Sequence, residues 1–187
     1  MPWRGETDVY KIWLSEVMLQ QTQVETVKPY YKRWLSKFPN TQSVADASED
    51  EVLKLWEGLG YYARVRNFKS ACEWIQKENK GEMPASSDAF RKLKGVGDYI
   101  HAAVRSIAFN EVVPVIDGNV KRVVARLIEL GSPPSKSLHI IKQFLINVIC
   151  QKAPGDFNQA IMDLGSTICK PRNPKCSECI ISTFCKS

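Results

Sequence analysis

Apolar residues recur at helical spacing along almost the whole chain, and that period excludes most sheet architectures before any motif is considered. Val24, Val27, Tyr31, Trp34 and Phe38 make one stripe, and Val52, Leu55, Trp56 and Leu59 make another. Others run through Phe68, Ala71 and Ile75, through Val120, Val124 and Leu127, through Ile141, Leu145 and Val148, and through Phe157, Ile161, Leu164 and Ile168. Residues three or four apart share a helix face, so each stripe predicts a helix with one buried side. Breaks fall at Gly58 with Gly60, Gly81 with Pro84, and Gly131 with Pro133 and Pro134. Ser48 followed by Glu51 predicts a capping box. The expectation is an all-α layout of roughly eight to ten short helices. The run Val112 to Ile116 is strand-like, but Pro114 lacks the N–H that a ladder needs.

With 44% hydrophobic residues, the 187-residue chain can bury a substantial core. No apolar run approaches the roughly 18 residues that cross a bilayer. The amino terminus also lacks the layout of a secretion signal, so an intracellular location is expected, at the nucleoid in a prokaryote. Lys and Arg outnumber Asp and Glu by 26 to 20, a formal charge of +6 that favours a polyanionic partner. A solvated positive surface gives the same count, so charge alone does not choose.

Cys169, Cys176, Cys179 and Cys185 are spaced C-x6-C-x2-C-x5-C, a density that predicts one shared metal site. Four thiolates suit tetrahedral zinc or an iron–sulfur cluster, and spacing leaves both open. Cys72 and Cys150 lie in helical stripes away from the loop and are expected to be free, buried thiols.

Leu93-Lys-Gly95-Val96-Gly97 falls between a helix ending near Lys94 and one starting near Asp98. The two glycines supply a tight turn whose N–H groups, at a helix start, suit a phosphate. An ordinary helix–helix corner has the same pattern.

On a wheel of about 100° per residue, Glu16 falls among Val9, Ile12, Trp13 and Leu19, with Gln20 beside it. Lys11, Ser15 and Thr22 form the expected polar face. A carboxyl in an apolar arc is out of place unless a hidden cation satisfies it or chemistry uses it. Desolvation favours the protonated form, which is what a general acid needs. Asp117, before Gly118 and Asn119, reads as a helix cap; the helix start holds it ionised, suited to a developing positive charge. One protonated and one ionised carboxyl make a glycosidic-cleavage pair.

The segments Pro2-Trp-Arg4, Trp13-Leu-Ser-Glu-Val-Met-Leu-Gln-Gln-Thr-Gln23, Gly58-Leu-Gly-Tyr-Tyr-Ala-Arg64, Ile116-Asp-Gly-Asn-Val-Lys-Arg122 and Phe157-Asn-Gln-Ala160 occur in order along the chain. Together with the hairpin and the cysteine loop, they resemble the adenine glycosylase (MutY) family of the endonuclease III superfamily. The resemblance implies a six-helix barrel over 8–113, with a helix-hairpin-helix near 93–99. It implies a helical 4Fe-4S cluster domain from 1–7 and 114–187, with Lys170, Arg172 and Lys175 facing phosphates. Double-stranded DNA with a mispaired base would lie across the cleft between them, adenine being extruded into a pocket, and the protein would act as a monomer.

By the same resemblance Glu16 would protonate adenine N7, Asp117 would stabilise the oxocarbenium-like sugar, and Tyr99 would position or assist Asp117. Bifunctional lyases carry a Lys where Tyr99 stands, and a phenol cannot form their imine, which implies a monofunctional glycosylase. Trp3, Arg4, Leu19 and Gln159 would lie near adenine, with Gln20 beside Glu16. Gln21 and Tyr61 would wedge into the base stack, Asn119 would join the catalytic network, and Gly95, Val96 and Gly97 would hold phosphate. His101 replaces the family's small residue or Thr. By the resemblance these residues would correspond to the family's catalytic core, without the second domain that reads 8-oxoguanine. Thymine (or uracil) removal from mismatches, as in a sister family, and DNA binding without turnover remain the competing expectations.

Overall fold

The computed structural model describes residues 1–187 and contains ten α-helices, three single turns of 3₁₀ helix and no strand. The all-α expectation holds, and residues 110–117, including the strand-like run, form an irregular connection without ladder partners. The chain divides into two compact units, Met1–Val104 and Arg105–Ser187.

In the first unit α1 (Val9–Leu19) packs on α2 (Val24–Lys37) and α5 (Ala63–Glu78), while α3 (Thr41–Asp46) and α4 (Glu49–Trp56) also pack on α5. The stripes bury as expected: Val27, Tyr31 and Trp34 from α2, Val52 and Trp56 from α4, Phe68, Ala71 and Ile75 from α5. Aromatic rings dominate this core. Trp34 stands edge-on to Trp56 at 5.7 Å and to Phe38 at 5.1 Å, while Trp13 lies 4.4 Å from Phe68. Trp34 Nε1 donates to the Tyr10 hydroxyl, which donates to Phe38 O, whereas Trp13 Nε1 is buried without a partner. The Ser48–Glu51 capping box is present at the start of α4. Two short helices that no stripe announces, α3 and α6 (Ser87–Arg91), start from Asn40 and Ser86 caps.

The helix α7 (Asp98–Phe109) runs across the boundary between the units. The second unit is built on α8 (Gly118–Leu127), α9 (Leu138–Val148) and α10 (Pro154–Thr167), with α8 packed on both others. Val120, Val124, Ile141 and Leu145 form its centre, and Phe157 and Ile161 close over it. Cys72 is buried, and burial pushes its thiol up from the usual range. Cys150 departs from expectation: α9 ends at Val148, and two residues beyond it the thiol is exposed. No helix is long and apolar enough to cross a membrane.

Candidate active site and nucleic-acid interface

Asp8 caps α1, its carboxylate accepting from Tyr10 N at 2.9 Å and Lys11 N at 3.3 Å. The helix is enclosed on nearly every side, with Tyr10 and every residue from Ile12 to Met18 buried. The expected polar face is therefore corrected at Ser15, which is buried and donates to Ile12 O at 2.8 Å. Glu16, 3% exposed, is a carboxyl inside a closed core rather than at the edge of an apolar arc. The Tyr99 hydroxyl, from α7, donates to Glu16 Oε2 at 2.6 Å, a partner the family resemblance did not supply. That bond fixes the carboxyl's orientation, and an acid can deliver a proton only in a fixed direction.

The end of α1 carries no basic residue in its last turn, so its orphan carbonyls need an outside donor. Arg64, from α5, supplies one. Its Nη1 donates to Val17 O at 3.0 Å, Met18 O at 2.8 Å and Gln20 O at 2.6 Å. Its Nη2 reaches Thr22 Oγ1 at 3.2 Å, Leu59 O at 3.3 Å and Gly60 O at 3.2 Å. Burial pushes this guanidinium down from its usual value, and Nε is buried without a partner. Gln20 caps α1 and is half-buried. Gln21 (φ 56°) and Tyr61 (φ 50°), both exposed, occupy left-handed backbone that is uncommon for non-glycine residues. Tyr61 is 59% and Tyr62 39% exposed, so neither is core.

The 93–97 turn joins α6 to α7, closed by Val96 N to Leu93 O at 3.0 Å and by an Arg91–Asp98 ion pair. Gly95 (φ 84°) is required there, since a Cβ would stand 2.8 Å from Asn67 Cβ. Gly97 has open space and no positive φ, so one glycine, not two, makes the turn tight. Gly95 and Gly97 are exposed, and Val96 is buried beneath them. His101 is buried, its Nε2 2.8 Å from Ser87 Oγ. Trp3 is buried edge-on to Tyr31 at 5.4 Å, and Arg4 and Leu19 are half-buried.

In the second unit Asp117 caps α8, with Oδ1 accepting from Val120 N at 2.7 Å and Oδ2 from Asn119 Nδ2 at 3.0 Å. Asn119 Oδ1 accepts from Arg122 Nη2 at 2.8 Å, and Arg122 also donates to Gly165 O at 2.7 Å and, through Nε, to Cys169 O at 2.8 Å. The cap is thus wired to the start of the cysteine loop. Gly165 permits this approach: a Cβ there would lie 2.7 Å from Asn119 Cβ. The segment leading to Asp117 is pinned by Asn158, wholly buried, which accepts from Val115 N at 3.0 Å and donates to Val113 O at 2.8 Å and Ser106 Oγ at 3.0 Å. One amide side chain thereby replaces the ladder that Pro114 forbids. Gln159, its neighbour, is half-buried. Sequence reasoning assigned no role to Arg64, Arg122 or Asn158, although all three lie inside the segments that carry the family resemblance.

None of the four loop cysteines is in a disulfide, and Arg126 donates to Cys169 Sγ at 3.2 Å and to Lys170 O at 2.8 Å. No three His, Cys, Asp or Glu side chains converge on a single-ion site. A four-iron cluster makes a different demand, one thiolate per iron, and an all-cysteine donor set with a cation beside one sulfur fits it. Lys170, Arg172 and Lys175 are exposed around the loop, and Lys175 pairs with Glu178 at 3.0 Å.

A buried carboxyl on a helix, a glycine hairpin opening another helix, a capping Asp and a terminal cysteine loop define a class, and the chain belongs to it. Residues 14–144 match the HhH-GPD superfamily of base excision DNA repair proteins. Residues 169–185 match the iron-sulfur binding domain of endonuclease III, so this loop carries a 4Fe-4S cluster. Within the superfamily the chain is 42% identical over 198 residues to an adenine DNA glycosylase of Mus musculus, covering all of this chain and 38% of that protein. It is 38% identical to one of Buchnera aphidicola subsp. Schizaphis graminum, covering 99% of this chain and 54% of that one. The chain thus spans less than two thirds of these curated relatives. Among solved structures, a thermostable thymine-DNA glycosylase superposes with a TM-score of 0.89 at 27% identity, covering all of this chain and 87% of that one.

Proposed function

We propose that the chain hydrolyses the N-glycosidic bond of adenine mispaired with guanine or 8-oxoguanine in double-stranded DNA, as a monofunctional glycosylase acting as a monomer. The observation that carries this reading is Glu16, a buried carboxyl held by the Tyr99 hydroxyl at 2.6 Å. Identity to adenine DNA glycosylases along the whole chain supports the choice of base. Glu16 donates its proton to the departing adenine, turning a poor leaving group into a neutral one. Asp117, held by the Val120 N–H and the Asn119 amide, faces the positive charge that grows on the sugar. Tyr99 orients Glu16 and cannot form an imine with the sugar, so an abasic site is the product. Trp3, Arg4, Leu19, Gln20 and Gln159 line the base's surroundings, and Gly95, Val96 and Gly97 hold phosphate. Residues 8–113 carry the acid and the hairpin and 114–187 form the cluster domain; residues 1–7, which the resemblance assigns to the latter, fall in the first compact unit, with Trp3 against Tyr31.

Incubation with duplexes containing adenine opposite guanine or 8-oxoguanine should release free adenine and leave alkali-labile strands. Likeness to the thymine-DNA glycosylase defines the competing substrate. Thymine released from a guanine mismatch would transfer the reading to that base. Structure-specific binding with no base released in single turnover would leave a binding module.

Cys169, Cys176, Cys179 and Cys185 hold the cluster, which cross-links the loop that presents Lys170 and Arg172. The purified chain should contain about four irons and absorb broadly in the blue. Removing the cluster should weaken DNA binding more than it lowers the melting temperature of the first unit. The slope of log K against log salt should fall by about 0.9 for each phosphate that the loop no longer neutralises. Zinc in place of iron, or unchanged affinity after removal, would contradict this.

A further inference from the structure

We infer that Arg64 is a positioning residue that locks the 20–22 and 59–61 turns into one rigid edge, so that Gln21 and Tyr61 enter the duplex together. The inference rests on reading these two side chains as wedges in a base stack.

Arg64 sits on α5, yet five of its six bonds go to backbone carbonyls, three at the end of α1 and two in the 59–60 turn. The sixth goes to Thr22 Oγ1, which itself donates to Gln20 O at 3.3 Å. One planar fork therefore ties together two turns some forty residues apart in sequence. Each turn carries an exposed, non-glycine residue at positive φ: Gln21 at 56° and Tyr61 at 50°. Lys80, Asn110, Glu129 and Asn173 also have positive φ, but only these two turns are bonded by the fork, through the Gln20 and Gly60 carbonyls just before Gln21 and Tyr61. The guanidinium carbon also lies 5.3 Å from the Tyr61 ring centroid, so the same cation touches one wedge directly. The Trp56 indole donates to Gly60 O at 2.9 Å and lies 5.3 Å under the guanidinium, bracing it from the core.

Two wedges that insert at one step must keep their separation while the stack resists, and a fixed guanidinium provides that. Lysine cannot substitute, because one ammonium point charge cannot span two sets of carbonyls facing different edges of a planar fork.

The test is a duplex with 2-aminopurine beside the mispaired adenine, whose fluorescence rises when the stack opens. The parent chain should give the rise and then release adenine. Arg64→Lys should stay folded at the assay temperature, with parental iron absorbance and salt slope and a melting temperature only a few degrees lower, but lose most of the rise. Its excision rate should fall on the order of 100-fold, in kcat rather than KM. In a Gln21→Ala, Tyr61→Ala background the same change should cost almost nothing further, because residues acting as one unit are non-additive.

Additive losses, a parental rise from Arg64→Lys, or an Arg64→Lys chain that unfolds at the assay temperature would each overturn the assignment. A parent chain that opens the stack yet releases no adenine would overturn the adenine reading and leave the clamp standing. A parent chain that binds without a rise would overturn the clamp.

Discussion

Glu16→Gln is expected to yield a folded chain that binds mispaired duplex with parental affinity and releases adenine about 10²–10⁴-fold more slowly, the usual share of a general acid. Fold retention follows from the contacts. The Tyr99 hydroxyl that donates to Glu16 Oε2 can donate equally to a Gln carbonyl oxygen, so that bond survives the change. Gln has the shape of Glu, so the buried position keeps its volume and no cavity opens. What disappears is a transferable proton. The loss should appear in single-turnover rates rather than in the binding constant. The limb of the pH–rate profile that reports the acid should vanish with it. Parental excision by the Gln variant would make Glu16 a structural group, and unfolding would lead to the same conclusion. The thermal melt and the iron absorbance distinguish the two outcomes.

The periodic part of the fold was legible because burial in an amphipathic helix repeats. Val27, Tyr31 and Trp34 could be assigned to a core without knowing what they touch. The same assumption failed on α1: a wheel presumes one wet face, and a helix buried all round has none, so Ser15 was misplaced. The stripe of α9 ends at Leu145: Val148, its expected third member, is 44% exposed at the last position of the helix, and Cys150 lies beyond it. Capping residues were legible where an Asp or Ser stands just before a stripe, as at Asp117 and Ser48. Arg64 and Asn158 were not, because they bond backbone atoms more than forty residues away, and backbone acceptors leave no pattern in a sequence. The site's chemistry-bearing residues were therefore readable and most of the groups that aim them were not. Aim depends on tertiary distances, whereas residue type and local spacing carry the chemistry.

Asp117→Asn separates two duties of one side chain, because asparagine caps helices about as well as aspartate but carries no charge. The cap bond to Val120 N, 2.7 Å in the parent, can be kept by the amide oxygen. The second oxygen becomes an NH₂ facing the Asn119 Nδ2 donor at 3.0 Å. Asn119 cannot simply flip, since its own oxygen accepts from Arg122 Nη2 at 2.8 Å. A donor therefore meets a donor, which should cost on the order of 1 kcal/mol and lower the melting temperature by about 2–4 °C. The expected loss in adenine release is far larger. Removing the negative charge from in front of an oxocarbenium-like sugar should raise the barrier by about 3 kcal/mol, on the order of 100-fold in rate. The two effects are told apart by Asn119→Ala, which removes the facing donor and the Arg122 link but keeps the Asp117 charge. It should show a comparable thermal shift with a much smaller loss of excision. If Asn119→Ala and Asp117→Asn slow adenine release equally, the α8 cap is needed for its geometry alone, and Asp117 does not stabilise the sugar cation.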